Sequence, residues 1–456
     1  MDLSPDIFRA YDIRGLVHNA LTPSVVRSIG HAVGVLYPGS PRVVVGRDGR
    51  LSSAELATAV RQGLMSAGCS VIDIGEVPTP VLYYATQVLG TEAGIMVTGS
   101  HNPPEYNGLK LVMDGKTLHG KDIQQIYQRI LQADMPLGQG QWEHRDLIQS
   151  YIRRICEDVK PVRALRIAID CGNGVAGPTA AALFRALGCD VRELYCQIDG
   201  RFPHHHPNPS IPSNMEDLIT CVTAEGLALG LAFDGDGDRL GVVDEQGLII
   251  WADRQMMLYA KDVLSRNPGA EIIYDVKSSR LLDDVIKHYG GRPLMWKTGH
   301  SFMKAKMKQT GALLAGEMSG HIFFKERWYG FDDGLYTAAR LLEILSKDDR
   351  PSSEVFAELP NAISTPELNV HFDQDGAQHD FMQALIASAE FEGGQINEID
   401  GLRVDYPDGW GLVRASNTTP SLVIRFEAEN QSTLQSIQEI FRVQLLKVDP
   451  SLRLPF

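Results

Sequence analysis

The sequence predicts an α/β fold of three topologically similar domains with mixed, largely parallel sheets, followed by a smaller C-terminal α+β domain. Three observations carry that expectation. At 456 residues the chain is far beyond a single hydrophobic core. A β-rich strand, a helix-patterned stretch, a small-residue turn and a second strand recur three times: from RVVVGRD to AGCSVIDIG, from LRIAIDCGNG to LGCDVRELY, and from EIIYDVKSS to YGGRPLMWK. Strands alternating with helices in this way imply βαβ units. After about residue 361 the pattern changes to strands and turns (LNVHFD, GLRVDYPDGWGLVRAS, SLVIRFEAE), closed by the amphipathic stretch STLQSIQEIFRVQLLKV. The expected domains are residues 1–146, 147–248, 249–360 and 361–456.

Composition excludes several function classes. Lys and Arg number 43 against 57 Asp and Glu, a formal charge of -14, so no nucleic acid and no membrane surface is expected as a partner. A small anionic substrate fits only where local Arg and Lys overcome that field. The segment MDLSPDIFRAYDIRG lacks a basic stretch followed by an apolar core, and no run of about eighteen apolar residues occurs, so a soluble, cytoplasmic protein is expected. Six cysteines are scattered without a C-x-x-C pair and are expected as buried free thiols. Nothing in the sequence sets the oligomeric state, and a monomer is compatible with it.

In MVTGSHNPPEYNGLKL (96–111) an apolar run stops at Thr98-Gly99 and resumes after a Gly-, Asn- and Pro-rich turn. Pro103-Pro104 forbids a helix directly after the break, so the Ser100 hydroxyl is expected on a tight, exposed loop. Loops on a rigid scaffold carry chemistry, although Ser and Asn are also ordinary turn formers.

FDGDGDR (233–239) is the sharpest local signal. On an extended strand Asp234 and Asp238 would lie about 13 Å apart, too far for one ion with oxygen ligands at about 2.1 Å. Gly235 and Gly237 supply the φ freedom to curl the chain so that Asp234, Asp236 and Asp238 converge on one hard cation such as Mg²⁺. A solvated acidic turn is the plainer alternative. An EF-hand calcium loop fails because Arg239 stands where Gly is required and the flanks read as strands. In DCGNGVAGPTAAALFRALG, Gly172, Gly174 and Gly177 form G-x-G-x-x-G between a strand and a helix, with Glu193 ending the next strand. That pattern admits a nicotinamide-dinucleotide dehydrogenase. Against it, Asp170 would oppose a pyrophosphate, and the other copies of the repeat lack the glycines, which favours a packing turn. GEMSGH (316–321) offers Glu317, Ser319 and His321 to a polyol, and RASNTTP (414–420) offers Arg414, Ser416, Asn417 and Thr418 to a phosphate. Either is also an ordinary loop.

Taken together, TGSHNPPEYNGLKL, FDGDGDR, GEMSGH and RASNTTP, in that order and one per domain, resemble the α-D-phosphohexomutase superfamily over essentially the whole chain. Within it the bacterial phosphomannomutase/phosphoglucomutase branch is most similar. The resemblance implies four domains around a central cleft and a reversible transfer between the 6- and 1-positions of mannose or glucose phosphates. The transfer would run by way of phosphorylated Ser100 and a hexose 1,6-bisphosphate, which also serves as activator. It further implies that Asp234, Asp236 and Asp238 bind Mg²⁺ with a phosphoryl oxygen on Ser100. Tyr11, Arg14, His101, Lys110 and Arg239 would surround the transferring group and supply positive charge and proton transfer. Glu317 and Ser319 would grip sugar hydroxyls, with His321 as candidate general base and Lys277 and His300 on the same wall. Arg414, Ser416, Asn417 and Thr418 would hold the phosphate that is not reacting. RFPHHHPNPSIP (201–212) matches the family only loosely; its three-His run could suggest a transition metal, and it is taken as a structural loop without a ligand. The resemblance also implies that Met318 favours glucose and mannose over glucosamine, and it leaves a phosphoglucosamine mutase as the nearest alternative.

Overall fold

A computed structural model describes every residue except Met1, Asp2, Pro38, Ser40, Asp375 and Thr418. In the first domain Arg42–Arg47 runs parallel to Ser70–Glu76 on one side and to Ala93–Val97 on the other, and Tyr106–Met113 pairs antiparallel with Ala93–Val97. The second domain repeats the unit. Arg166–Asp170 is parallel to Asp190–Leu194 and Leu229–Phe233, and Leu240–Asp244 is antiparallel to the latter. The third repeats it again with Glu271–Asp275 parallel to Arg292–Trp296 and Leu314–Gly316, closed by antiparallel Ile322–Phe324. Each sheet is mixed because one hairpin closes a parallel unit.

That hairpin positions the chemistry. Loops 98–105, 234–239 and 317–321 all join the third strand of the repeat to its antiparallel partner. Each therefore leaves the carboxyl end of a parallel strand, where open α/β sheets bind ligands. Three motifs that look unrelated in sequence occupy one topological position. The fourth domain is an antiparallel sheet covered by helices Ala377–Ser388 and Gln431–Val448, and residues 416–420 join strands Gly409–Ala415 and Ser421–Ala428.

Helix starts follow from short polar side chains and proline. Thr22 caps Pro23–Gly34, Asn430 caps Gln431–Val448, and Asp333 caps Gly334–Ser346, each accepting from a backbone N–H of the first turn. Helix Gly334–Ser346 is buried nearly all round, including its polar stripe Thr337, Arg340, Glu343 and Ser346, because it lies inside a core that runs from Val44 through the second domain to Leu359. The fourth domain has its own core and meets the third through Val276, Trp410 and Leu412.

Two expectations change here. Ser100 is 2% exposed, not on an exposed loop, because the loop carrying the three aspartates covers it. All six cysteines are free, but Cys156 and Cys221 are only half-buried, each on a helix turned partly to solvent. Among the described residues no helix is long and apolar enough to cross a membrane.

Candidate active site

The four loops meet at one cleft of about 720 Å³, to which the domains contribute Ser100, Arg239, Glu317 and Arg414 among others. Tyr11, Arg14, His101, Lys110, Lys277, His300, Ser319, His321, Ser416 and Asn417 also line it. Thr418, expected beside them, lies outside the described residues.

Ser100 adopts φ +49°, a left-handed conformation that residues with a Cβ disfavour. Its Oγ donates to Asp234 Oδ2 at 3.1 Å and lies 3.2 Å from His101 Nδ1. Burial, reinforced by Arg239 and Arg14, holds His101 well below the usual histidine range. At pH 7 its imidazole is therefore neutral.

Asp234, Asp236 and Asp238 are fully buried, and their ligand oxygens lie within 4.8 Å of one another. Only Gly237 takes positive φ, at +77°. Gly235 serves a different end: a Cβ there would stand 2.3 Å from the Ser100 carbonyl oxygen, so its missing side chain lets the two loops touch. Burial and the neighbouring carboxylates push Asp234 well above the usual range. Against burial, Lys110 and Thr79 hold Asp236 low, through bonds from Lys110 Nζ at 2.7 Å and from Thr79 Oγ1 at 2.5 Å. Burial works against the Lys110 charge, but Asp236 and Asp238 raise its pKa above the usual lysine range. Asp236 Oδ1 and Asp238 Oδ1 are buried with no hydrogen-bond partner. Three converging carboxylates, two of them with an unpartnered buried oxygen, fit a divalent cation such as Mg²⁺.

The facing wall carries the polar groups of the third domain. Glu317 Oε1 accepts from Gly299 N at 3.1 Å, and Ser319 Oγ donates to Oε2 at 3.3 Å. Burial pushes the Glu317 carboxyl up to about 7. His321 Nε2 accepts from Arg239 Nε at 3.0 Å, which places its proton on Nδ1, facing Asp332 at 3.1 Å and Asp238 at 3.5 Å. Asp332, fully buried, also takes Lys304 Nζ at 2.8 Å and lies 3.8 Å from His300, whose pKa burial holds well below the usual range. Lys277 pairs with Glu367, and Arg414 Nε donates to Asp400 at 3.1 Å. Burial pushes the Tyr11 hydroxyl up to about 12.

Family sequence models match this chain in four consecutive pieces. Phosphoglucomutase/phosphomannomutase alpha/beta/alpha domain I matches residues 5–136, domain II 149–247, domain III 251–363 and the C-terminal domain 367–443. The chain belongs to the phosphoglucomutase/phosphomannomutase family. A phosphomannomutase/phosphoglucomutase of Pseudomonas aeruginosa is 56% identical over 456 residues, covering 100% of this chain and 98% of that protein. A phosphoglucomutase of Neisseria gonorrhoeae is 51% identical, covering 99% of each. The crystal structure of a phosphoglucomutase/phosphomannomutase family protein from Burkholderia thailandensis superposes with a TM-score of 0.94 at 52% identity, covering 100% of both chains.

Family membership and packing agree on the glycine-rich turn. A Cβ at Gly174 would meet the Gly235 backbone at 2.9 Å, and one at Gly177 the Cys196 carbonyl at 2.0 Å, so both glycines serve close packing against protein backbone. Asp170 accepts from Gly172 N and pairs with His205. In the three-His loop, His204 contacts Asn173 and His206 reaches the His101 carbonyl. None of the three belongs to a group close enough for one ion among the described residues. Sequence reasoning missed Asp332, Thr79, Glu367 and Asp400. The adjacent acids of FDDG were the one local sign of Asp332; the other three carry no motif.

Proposed function

We propose that this enzyme moves a phosphoryl group reversibly between the 6- and 1-positions of mannose and glucose phosphates. One observation carries the reading: the Ser100 hydroxyl lies between Asp234 and His101 at the wall of a cleft built by all four domains. Full-length similarity to proteins named phosphomannomutase/phosphoglucomutase and phosphoglucomutase supports it.

In this reading Ser100 carries the phosphoryl group at rest. A sugar phosphate enters with its own phosphate on Arg414, Ser416, Asn417 and Thr418 and its hydroxyls on Glu317 and Ser319, beside Lys277 and His300. The P–O bond to Ser100 breaks as the bond to the sugar hydroxyl forms, and His321 Nε2, released as Arg239 turns from it to the phosphoryl group, takes the hydroxyl proton. The resulting hexose 1,6-bisphosphate turns round, and the other phosphate returns to Ser100. Arg14, Arg239 and Lys110 offset the charge of the group in flight, with Tyr11 and His101 against it. Asp234, Asp236 and Asp238 would hold Mg²⁺, which supplies positive charge to the transferring oxygens when bound. Because either end of the sugar must reach Ser100, the phosphate clamp lies on a different domain from the serine. Met318 beside the sugar wall supports glucose and mannose over glucosamine.

The test is direct. With Mg²⁺ and a trace of glucose 1,6-bisphosphate, the purified protein should convert mannose 1-phosphate and glucose 1-phosphate to their 6-phosphates, faster than it converts glucosamine 1-phosphate. No conversion of either hexose would refute the reading, and preference for glucosamine would overturn the role of Met318.

A further inference from the structure

The Ser100 loop holds a strained shape, and its own sequence does not explain what holds it. Ser100 has φ +49°, and the loop presents its carbonyls inward rather than to water. Arg50, at the end of the first-domain segment GRDGR and 3% exposed, meets them. Its Nη2 donates to Ser100 O at 2.8 Å and Asn102 O at 2.5 Å, and its Nη1 to Pro103 O at 2.6 Å and Tyr106 O at 3.0 Å. Its Nε donates to Asp48 Oδ2 at 3.2 Å. A guanidinium has five N–H donors in a fixed plane, and here all five are used.

The surroundings are built around that plane. Asp48 binds the other side of the same loop, accepting from Thr98 Oγ1 at 2.8 Å and Gly99 N at 3.1 Å. A Cβ on Gly99 would stand 2.4 Å from Arg50 Nε, so the missing side chain makes room for the guanidinium. Phe202, from the loop of the second domain that also carries the three histidines, covers the guanidinium at 5.1 Å.

We propose that Arg50 is a positioning residue for phosphoryl transfer: it touches neither substrate nor metal ligands and acts by fixing the Ser100 backbone in the strained conformation that aims Oγ at Asp234 and the cleft. Lysine keeps the charge but not the fork, so it cannot bind four carbonyls at once. A displacement of the reacting atom by about 1 Å costs roughly a hundredfold in rate. The proposal rests on the mutase reading for its kinetic consequence only.

The test is Arg50→Lys in the full chain. Turnover per folded molecule should fall roughly a hundredfold while KM for glucose 1-phosphate and the Mg²⁺ concentration for half-activity stay within about threefold. Arg50→Ala should regain at least about tenfold of its lost turnover in millimolar guanidinium chloride, because the free ion has the same planar donors. A purely structural arginine would lower the unfolding temperature and leave turnover per folded molecule unchanged; that result overturns the proposal. Should neither variant fold, Asp48→Asn carries the same test, with normal turnover overturning it. Hydrogen exchange gives a readout independent of turnover: amides of Asn102 and Tyr106 should exchange at least about tenfold faster in Arg50→Lys, and unchanged exchange refutes the proposal. An inactive wild type would count against the mutase reading alone, and the exchange result would still decide this one.

Discussion

Glu317→Gln should make the protein more stable and less active, with a stability gain that depends on pH. Glu317 is 3% exposed, and burial pushes its carboxyl up to about 7 from an ordinary 4.5. Between those values the folded state keeps a proton that the unfolded chain has released. Stability therefore falls as the pH rises from about 4.5, and the loss is complete above about 7. At about 1.36 kcal/mol per pH unit the full loss is on the order of 3 kcal/mol. Glutamine carries no charge at any pH and keeps an acceptor for Gly299 N, so the variant escapes the loss. In scanning calorimetry it should unfold several degrees above the wild type at pH 8, and the two should nearly coincide at pH 5. Turnover with glucose 1-phosphate should drop, because an amide oxygen accepts more weakly from a sugar hydroxyl than a carboxylate does. A variant no more stable than the wild type at pH 8, or one with an equal gap at both pH values, would refute burial of the charge as the cause.

Three further outcomes follow from the geometry. Replacing Asp234, Asp236 or Asp238 by Ala should cut turnover by several orders of magnitude and weaken Mg²⁺ binding in calorimetric titration, and near-normal activity in all three would make the cluster a buried polar turn and nothing more. Gly235→Ala should lower turnover roughly a hundredfold, since its Cβ would stand 2.3 Å from the Ser100 carbonyl and the serine loop must move; steady-state kinetics beside a circular-dichroism check of folding would show it. Asp333→Ala should cost about 3 kcal/mol or more in denaturant unfolding, because it removes a helix cap and leaves the buried Tyr151 and Trp328 donors without a partner.

The sequence pattern makes the repeated βαβ unit legible because each copy begins with a run of β-branched and apolar residues and turns on glycine. The Ser100 break is equally legible, because Gly99 and Pro103-Pro104 punctuate it locally. Distance alone shows that Asp234 and Asp238 reach one ion only if the chain curls; that it does curl, with positive φ at Gly237 only, is shown by the structure. Other features depend on residues far apart in the chain. Ser100 reads as exposed until the loop of Asp234, 134 residues later, covers it. Gly235 looks like a source of flexibility, and only the approach of the Ser100 carbonyl shows that its use is closeness. Asp332 and Glu367 are ordinary acids in sequence, and their partners His321 and Lys277 are set by how the third and fourth domains fold against the cleft. The shared topological place of the three loops is invisible in the motifs themselves, since it is a property of strand pairing.

The central claim is that Ser100 carries the group that is transferred. Enzyme phosphorylated on Ser100 with an isotopically labelled phosphoryl group, mixed with unlabelled glucose 1-phosphate, should pass its label to position 6 of the glucose 6-phosphate formed. The substrate's own phosphate should remain on the protein, on the peptide containing GSHNPP, and Ser100→Ala should neither accept label nor turn over. Label that stays on the protein while product accumulates, or a Ser100→Ala variant that runs at the wild-type rate, would contradict the claim.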